Sequence, residues 1–213
     1  MLRQLPNIIT LSRLVFLAAI VVLAFDHWTG CATLVFFLSL IACITDWLDG
    51  FIARRYGYVT NVGKLMDAIT DKFFVIGLFI VILLLDRFGN GIRWIDKVGW
   101  WILGITVLRD LVITGMRMVA ARKGIVLAAD TMGKRKTIWQ SVSICVLFAV
   151  PMFANDMAFL GLPKWFPEFI WVNGVLYYLL AGVLAVVSGV MYCIRYIPHL
   201  KSAPAASDKG SAA

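Results

Sequence analysis

Four aspartates carry the chemistry that this sequence most plainly offers. Asp46 and Asp49 stand three residues apart in D-W-L-D-G-F-I-A-R, and Asp67 and Asp71 stand four apart in G-K-L-M-D-A-I-T-D. On helices both spacings bring a pair onto one face. If the two helices face each other, four carboxylates converge, which mutual repulsion and desolvation make costly unless they are compensated. Divalent cations supply the compensation. Hard oxygen donors suit Mg²⁺ or Mn²⁺, and several carboxylates can hold two ions about 3.5–4 Å apart, a clamp for phosphate oxygens during in-line attack by a hydroxyl. Asp46, Asp49, Asp67 and Asp71 are therefore candidate ligands of two metal ions.

The residues between the acids fit a phosphate substrate. Gly50 and Ala53 share the helical face of Asp46 and Asp49, where small side chains let a nucleotide or a neighbouring backbone approach. Arg54 offers a forked cation for phosphate oxygens. Gly63 opens the next helix, where bulk would obstruct the same pocket. The plainer account is that such acids are solvated caps or partners of Arg54, Arg55, Lys64 and Lys72. That account suits one aspartate better than four at helical spacing with small residues interleaved.

A basic cluster follows in R-D-L-V-I-T-G-M-R, Arg109 to Arg117, and in M-G-K-R-K-T-I-W-Q, Met132 to Gln140. Arg109 and Arg117 lie close to one helical face, and Lys134 and Lys136 begin the fifth apolar stretch. Together the four make a candidate cationic pocket for a small phosphate-bearing acceptor. Charge alone fits equally well with residues that fix topology and meet anionic lipid. Near the start, Asn7, Thr10 and Arg13 form a polar stripe on the first helix. It faces either the nucleotide or, through Arg13, a lipid phosphate.

The run D-x₂-D-G-x₂-A-R-x₈-G-x₃-D-x₃-D resembles the signature of the CDP-alcohol phosphatidyltransferase family, with matches at Asp46, Asp49, Gly50, Ala53, Arg54, Gly63, Asp67 and Asp71. The resemblance implies that the first three acids bind two divalent ions that hold a CDP-lipid diphosphate. It makes Asp71 the general base, with a share in metal binding. R-D-x₃-T-G-x-R and G-K-x-K-T-x₂-Q resemble the bacterial phosphatidylglycerophosphate synthase branch, which implies CDP-diacylglycerol as donor and sn-glycerol-3-phosphate as acceptor. Asn7, Thr10 and Arg13 match that branch too and join Gly50, Ala53, Arg54 and Gly63 as candidate CDP-lipid contacts. Asp110 departs from the branch, where Glu is common, and its role stays open. Inositol phosphate, serine and phosphatidylglycerol are the alternative acceptors, and a divalent-cation transporter is the alternative from another class.

These residues need elements to position them. Of 213 residues, 62% are hydrophobic and 15% charged, with a mean hydropathy of +0.89. Soluble domains carry about a quarter charged residues. The surplus apolar surface predicts an all-α integral membrane protein. Six spans are expected near Asn7–Phe25, Ala32–Phe51, Phe73–Leu85, Val98–Val119, Ile138–Ala154 and Phe169–Ile194, the third short unless it begins near Ala68. Residues 1–201 then form one six-helix domain with its active site on the cytoplasmic side. The tail 202–213, rich in Ala, Ser and Pro, is expected to be disordered.

The net charge of +8 fits basic loops at an inner leaflet better than nucleic acid. Arg54, Arg55, Lys64, Arg117, Arg122, Lys123, Lys134, Arg135, Lys136, Arg195, Lys201 and Lys209 fall in alternate connections. This places both termini and the acidic motif in the cytoplasm, and the resemblance to a bacterial branch implies the inner membrane of a bacterium. The first apolar run lacks a cleavage site and is expected to be a retained span. Cys31, Cys43, Cys145 and Cys193 lack metal or disulfide spacing and are expected to pack as small apolar groups. His27 and His199 have no ligand partner at useful spacing. Gly182, Ala185 and Gly189 form a small-residue stripe suited to close helix packing or to a homodimer seam, and homodimers are common in the family it resembles.

Overall fold

A computed structural model describes residues 5–26, 28–56, 61–85, 93–123 and 131–202. The side chains of 5–11, 46–56, 61–69, 93–96, 122, 131, 132, 134 and 199–202 fall outside that description. So do His27, the Asp86–Arg87 loop and the tail beyond Ser202.

Six α-helices follow one another among the described residues: α1 Leu5–Phe25, α2 Cys31–Tyr56, α3 Asn61–Leu84, α4 Arg93–Arg122, α5 Thr131–Pro151 and α6 Trp165–Ser202. Each apolar stretch lies within or largely within one of them, and most helices run past the predicted ends. The largest difference is at α3, which begins at Asn61 rather than near Phe73. Its first three turns carry Lys64, Asp67, Asp71 and Lys72, which end a hydropathy window but do not interrupt backbone hydrogen bonding.

α6 packs most extensively on α5 and also on α4, while α1 lies against α2 and α3 and α2 meets α5. The core runs through Ile20, Phe74, Leu78, Phe79, Ile144, Phe148 and Tyr178. Phe79 stacks on Tyr178 with ring centroids 4.4 Å apart. The Tyr178 hydroxyl donates to the Gly99 carbonyl at 3.0 Å, so one side chain joins α3, α4 and α6. Ser143 of α5 donates to the Gly174 carbonyl at 2.9 Å. A Cβ on Gly174 would stand 2.7 Å from Leu147 Cδ2, so glycine is what lets α5 and α6 approach there.

The small-residue stripe on α6 is used within the chain. A Cβ on Gly182 would lie 2.8 Å from Ile102 Cγ2, and one on Gly189 would lie 2.8 Å from Arg109 Cγ. Ala185 is fully buried. Gly182 and Gly189 thus pack toward α4.

At the opposite end of the molecule, α5 passes Pro151 into a π-helical turn, Met152–Asp156, and then a 3₁₀ turn, Ala158–Leu160. The Asp156 carboxylate accepts hydrogen bonds from the Thr33 amide at 2.7 Å and the Thr33 hydroxyl at 2.8 Å. It caps the start of α2 across 123 positions of sequence, where orphan amides and the helix dipole favour a negative charge. The cysteines are unbridged, Cys31 buried and the other three partly so.

The exterior is apolar and part of the interior is polar. Val22, Trp101, Leu108, Leu111 and Ile194 are exposed, whereas Ser39, Gln140, Ser143 and Ser188 are buried. Among the described residues, two helical stretches are long and apolar enough to cross a membrane, Arg135–Asp156 and Trp165–Pro198, with shorter apolar helices at Ser12–Phe25 and Cys31–Thr45.

Candidate active site

Successive helices place the N-terminal halves of α1, α3 and α5 beside the C-terminal halves of α4 and α6. A cavity of about 290 Å³ opens there. α4 contributes Thr106, Arg109, Asp110, Ile113, Thr114 and Arg117, a repeat of three and four residues that keeps one helical face toward the cavity. α3 adds Asp71 and Lys72, α5 adds Lys136 and Gln140, and α1 adds Arg13. Five cations thus line the cavity, Arg13, Lys72, Arg109, Arg117 and Lys136, against the carboxylates of Asp71 and Asp110. Its potential is positive, and it suits an anion.

Asp110 is the organising acid. Its carboxylate accepts from Arg109 Nη1 at 2.9 Å and from Lys136 Nζ at 3.0 and 2.9 Å. Lys136 is buried, 3% exposed, so this pairing is what lets an ammonium remain inside the bundle. Lys72 Nζ donates to the Thr114 hydroxyl, which itself donates to the Asp110 carbonyl at 2.7 Å. Arg117 reaches α6, where Nε donates to the Tyr192 hydroxyl at 3.2 Å and the guanidinium lies 5.6 Å from the ring centroid. Arg109 Nη2 donates to Ser188 Oγ of α6 at 2.9 Å.

At the other wall, Arg13 Nη1 pairs with Asp71 Oδ1. Arg13 is 3% exposed and lines the cavity. Asp71 keeps a side-chain exposure of 40%, so its carboxylate stays open to a ligand.

The candidate residues therefore divide. The structure brings Arg13, Asp71, Arg109, Arg117 and Lys136 to one cavity. Asp46, Asp49, Gly50, Ala53 and Arg54 lie on α2, Gly63 and Asp67 on α3, Asn7 and Thr10 on α1, and Lys134 on α5, with side chains outside the description. Lys136 sits in the second turn of α5, not at its start. Among the described residues no three His, Cys, Asp or Glu side chains cluster to hold a metal, and three of the four aspartates are not in that set. The helices α2 and α3 run through these acids, which stand at i, i+3 and i, i+4 spacing along them.

Sequence reasoning passed over several residues. Lys72 figured only as a partner for the acids, although it adjoins Asp71. Asp110 lay inside a quoted motif with no role attached. Ser188 and Tyr192 gave no signal, being single polar groups in an apolar helix.

A family model described as CDP-alcohol phosphatidyltransferase matches residues 3–194. The chain belongs to the CDP-alcohol phosphatidyltransferase family. Two curated relatives within reach of it share one name, CDP-diacylglycerol–glycerol-3-phosphate 3-phosphatidyltransferase. The protein from Mycoplasma genitalium is 36% identical over 167 residues, 78% of this chain and 65% of its own length. That from Bacillus subtilis is 32% identical over 188 residues, 79% of this chain and 90% of its own. The match to the first thus spans just under two thirds of that relative. The family match begins before Arg13 and ends after Ser188 and Tyr192, so the whole cavity lies within the phosphatidyltransferase region.

Proposed function

We propose that this chain transfers the phosphatidyl group of CDP-diacylglycerol to sn-glycerol-3-phosphate, giving phosphatidylglycerophosphate and CMP. The observation that carries the reading is the cationic cavity that ends at the Asp71 carboxylate. A phosphomonoester acceptor has a charged end for the basic wall and a hydroxyl for the acid. Arg109, Arg117 and Lys136, with Lys134 beside them in sequence, hold the acceptor phosphate. Asp71 then accepts the proton of the acceptor hydroxyl as its oxygen bonds to the lipid-side phosphorus. The phosphorus–oxygen bond to CMP breaks, and CMP carries away the bonding pair. Arg13 pairs with Asp71 and holds its carboxylate at the cavity.

Two Mg²⁺ or Mn²⁺ ions, held by Asp46, Asp49, Asp67 and Asp71, would neutralise the diphosphate and make CMP a better leaving group. Gly50, Ala53 and Gly63 leave room for the nucleotide, and Arg54 contacts its phosphates. Asn7 and Thr10 extend that surface from α1.

Residues 1–201 constitute one catalytic domain in the inner membrane of a bacterium, with both termini and the cavity cytoplasmic. Support comes from the apolar exterior and from α6, which at 38 residues measures about 57 Å and exceeds a hydrocarbon core of about 30 Å. A homodimer remains part of the proposal.

Acceptor kinetics test the reading. Lys136→Ala and Arg109→Ala are each expected to raise the KM for glycerol-3-phosphate about tenfold or more, as loss of a charge-assisted contact does. The KM for CDP-diacylglycerol should hold. An unchanged acceptor KM in both variants would place the acceptor elsewhere.

A further inference from the structure

α6 contributes none of the residues proposed above to bind substrate, yet it touches the centre of the cationic wall. Arg109 is threaded between two glycines. A Cβ on Gly189 would lie 2.8 Å from Arg109 Cγ, and a Cβ on Gly133 of α5 would lie 3.0 Å from Arg109 Nη2. Ser188 is fully buried. Its hydroxyl donates to the Ala185 carbonyl at 3.2 Å, which fixes the proton and leaves a lone pair for Arg109 Nη2 at 2.9 Å. On the other side, Arg109 Nη1 is held by Asp110.

Two of the five N–H donors of a guanidinium are thus spent on orientation. Arg109 Nε has no hydrogen-bond partner among the described residues. An unbound arginine holds about 2 kcal/mol of rotamer entropy, and a fork fixed beforehand loses less of it on binding. A residue needed only for packing would not have to present a hydroxyl to a cavity arginine.

We infer that Ser188 and Gly189 are positioning residues for acceptor binding: they seat the Arg109 guanidinium on the cavity wall, oriented to receive a phosphomonoester. The inference rests on the acceptor reading above. It makes α6 a determinant of selectivity, because a neutral alcohol gains nothing from a fixed guanidinium.

Initial rates with purified protein in mixed micelles, with glycerol-3-phosphate and CDP-diacylglycerol varied separately, test it. Ser188→Ala should raise the acceptor KM about 5- to 10-fold, the size of an ordinary net hydrogen bond. kcat and the donor KM should stay within about twofold. Gly189→Ala, which pushes on Arg109 Cγ, should move the same parameter in the same direction. In an Arg109→Ala background neither substitution should have a further effect on the acceptor KM.

If Arg109→Ala raises the acceptor KM while Ser188→Ala and Gly189→Ala do not, the positioning role is wrong and the acceptor pocket stands. If Arg109→Ala leaves the acceptor KM unchanged, Arg109 does not hold the acceptor and the inference fails, whereas the pocket itself fails only if Lys136→Ala is silent as well. Parallel loss of melting temperature and of affinity for both substrates would reduce Ser188 and Gly189 to packing and overturn the inference as well.

Discussion

Asp71 and Asp110 are both aspartates on the cavity wall, yet their surroundings assign them different work. Asp110 spends its oxygens on Arg109 and Lys136, so it builds the wall. Asp71 has one guanidinium beside it and remains partly open, which suits the base proposed above. Asp71→Asn keeps the shape and removes the basicity. Turnover should fall about 10²- to 10⁴-fold, the range for loss of a general base, while CDP-diacylglycerol binding measured by equilibrium titration persists. Equal loss of binding would make Asp71 a ligand first and a base second. At this scale the sequence was informative where polar residues recur at helical spacing, as at Asp67/Asp71 and Arg109/Arg117. It was silent at Ser188, because one hydroxyl in an apolar helix looks the same whether it faces a neighbouring backbone or a cavity arginine.

The helices themselves were legible in number and order, since each needs an apolar face or an apolar circumference. Their ends were not. Hydropathy reports where polar side chains begin, whereas a helix ends where its backbone hydrogen bonds do, and between Asn61 and Lys72 these differ by three turns. The α6 stripe shows the converse limit: Gly182, Ala185 and Gly189 announce close packing but not the partner, which is α4. Asp156 gave no signal in the sequence, because a cap 123 positions away has no local signature. Its removal is a prediction for this scale. Asp156→Ala should destabilise the protein by about 1 kcal/mol, typical of a lost N-cap, seen as a lower melting temperature in detergent. The KM values should not change, because the site lies at the other end of the bundle.

Across the whole molecule, an apolar exterior surrounds a cavity lined with cations at one end. The basic residues described at that end, Arg109, Arg117 and Lys136 among them, fit the cytoplasmic mouth proposed above. The carboxylate set predicts that a chelator abolishes turnover and that Mg²⁺ or Mn²⁺ restores it, read as CMP release before and after dialysis. Activity that survives exhaustive chelation would remove the metals from the account.

The central claim, phosphatidyl transfer to a phosphorylated acceptor, is tested most directly by identifying the lipid product. Purified protein in CDP-diacylglycerol micelles would be given glycerol-3-phosphate, inositol phosphate, serine or phosphatidylglycerol in turn, with the product resolved by mass. The account predicts phosphatidylglycerophosphate and equimolar CMP with glycerol-3-phosphate and little product with serine. Efficient product formation with serine, or none with glycerol-3-phosphate, would contradict it.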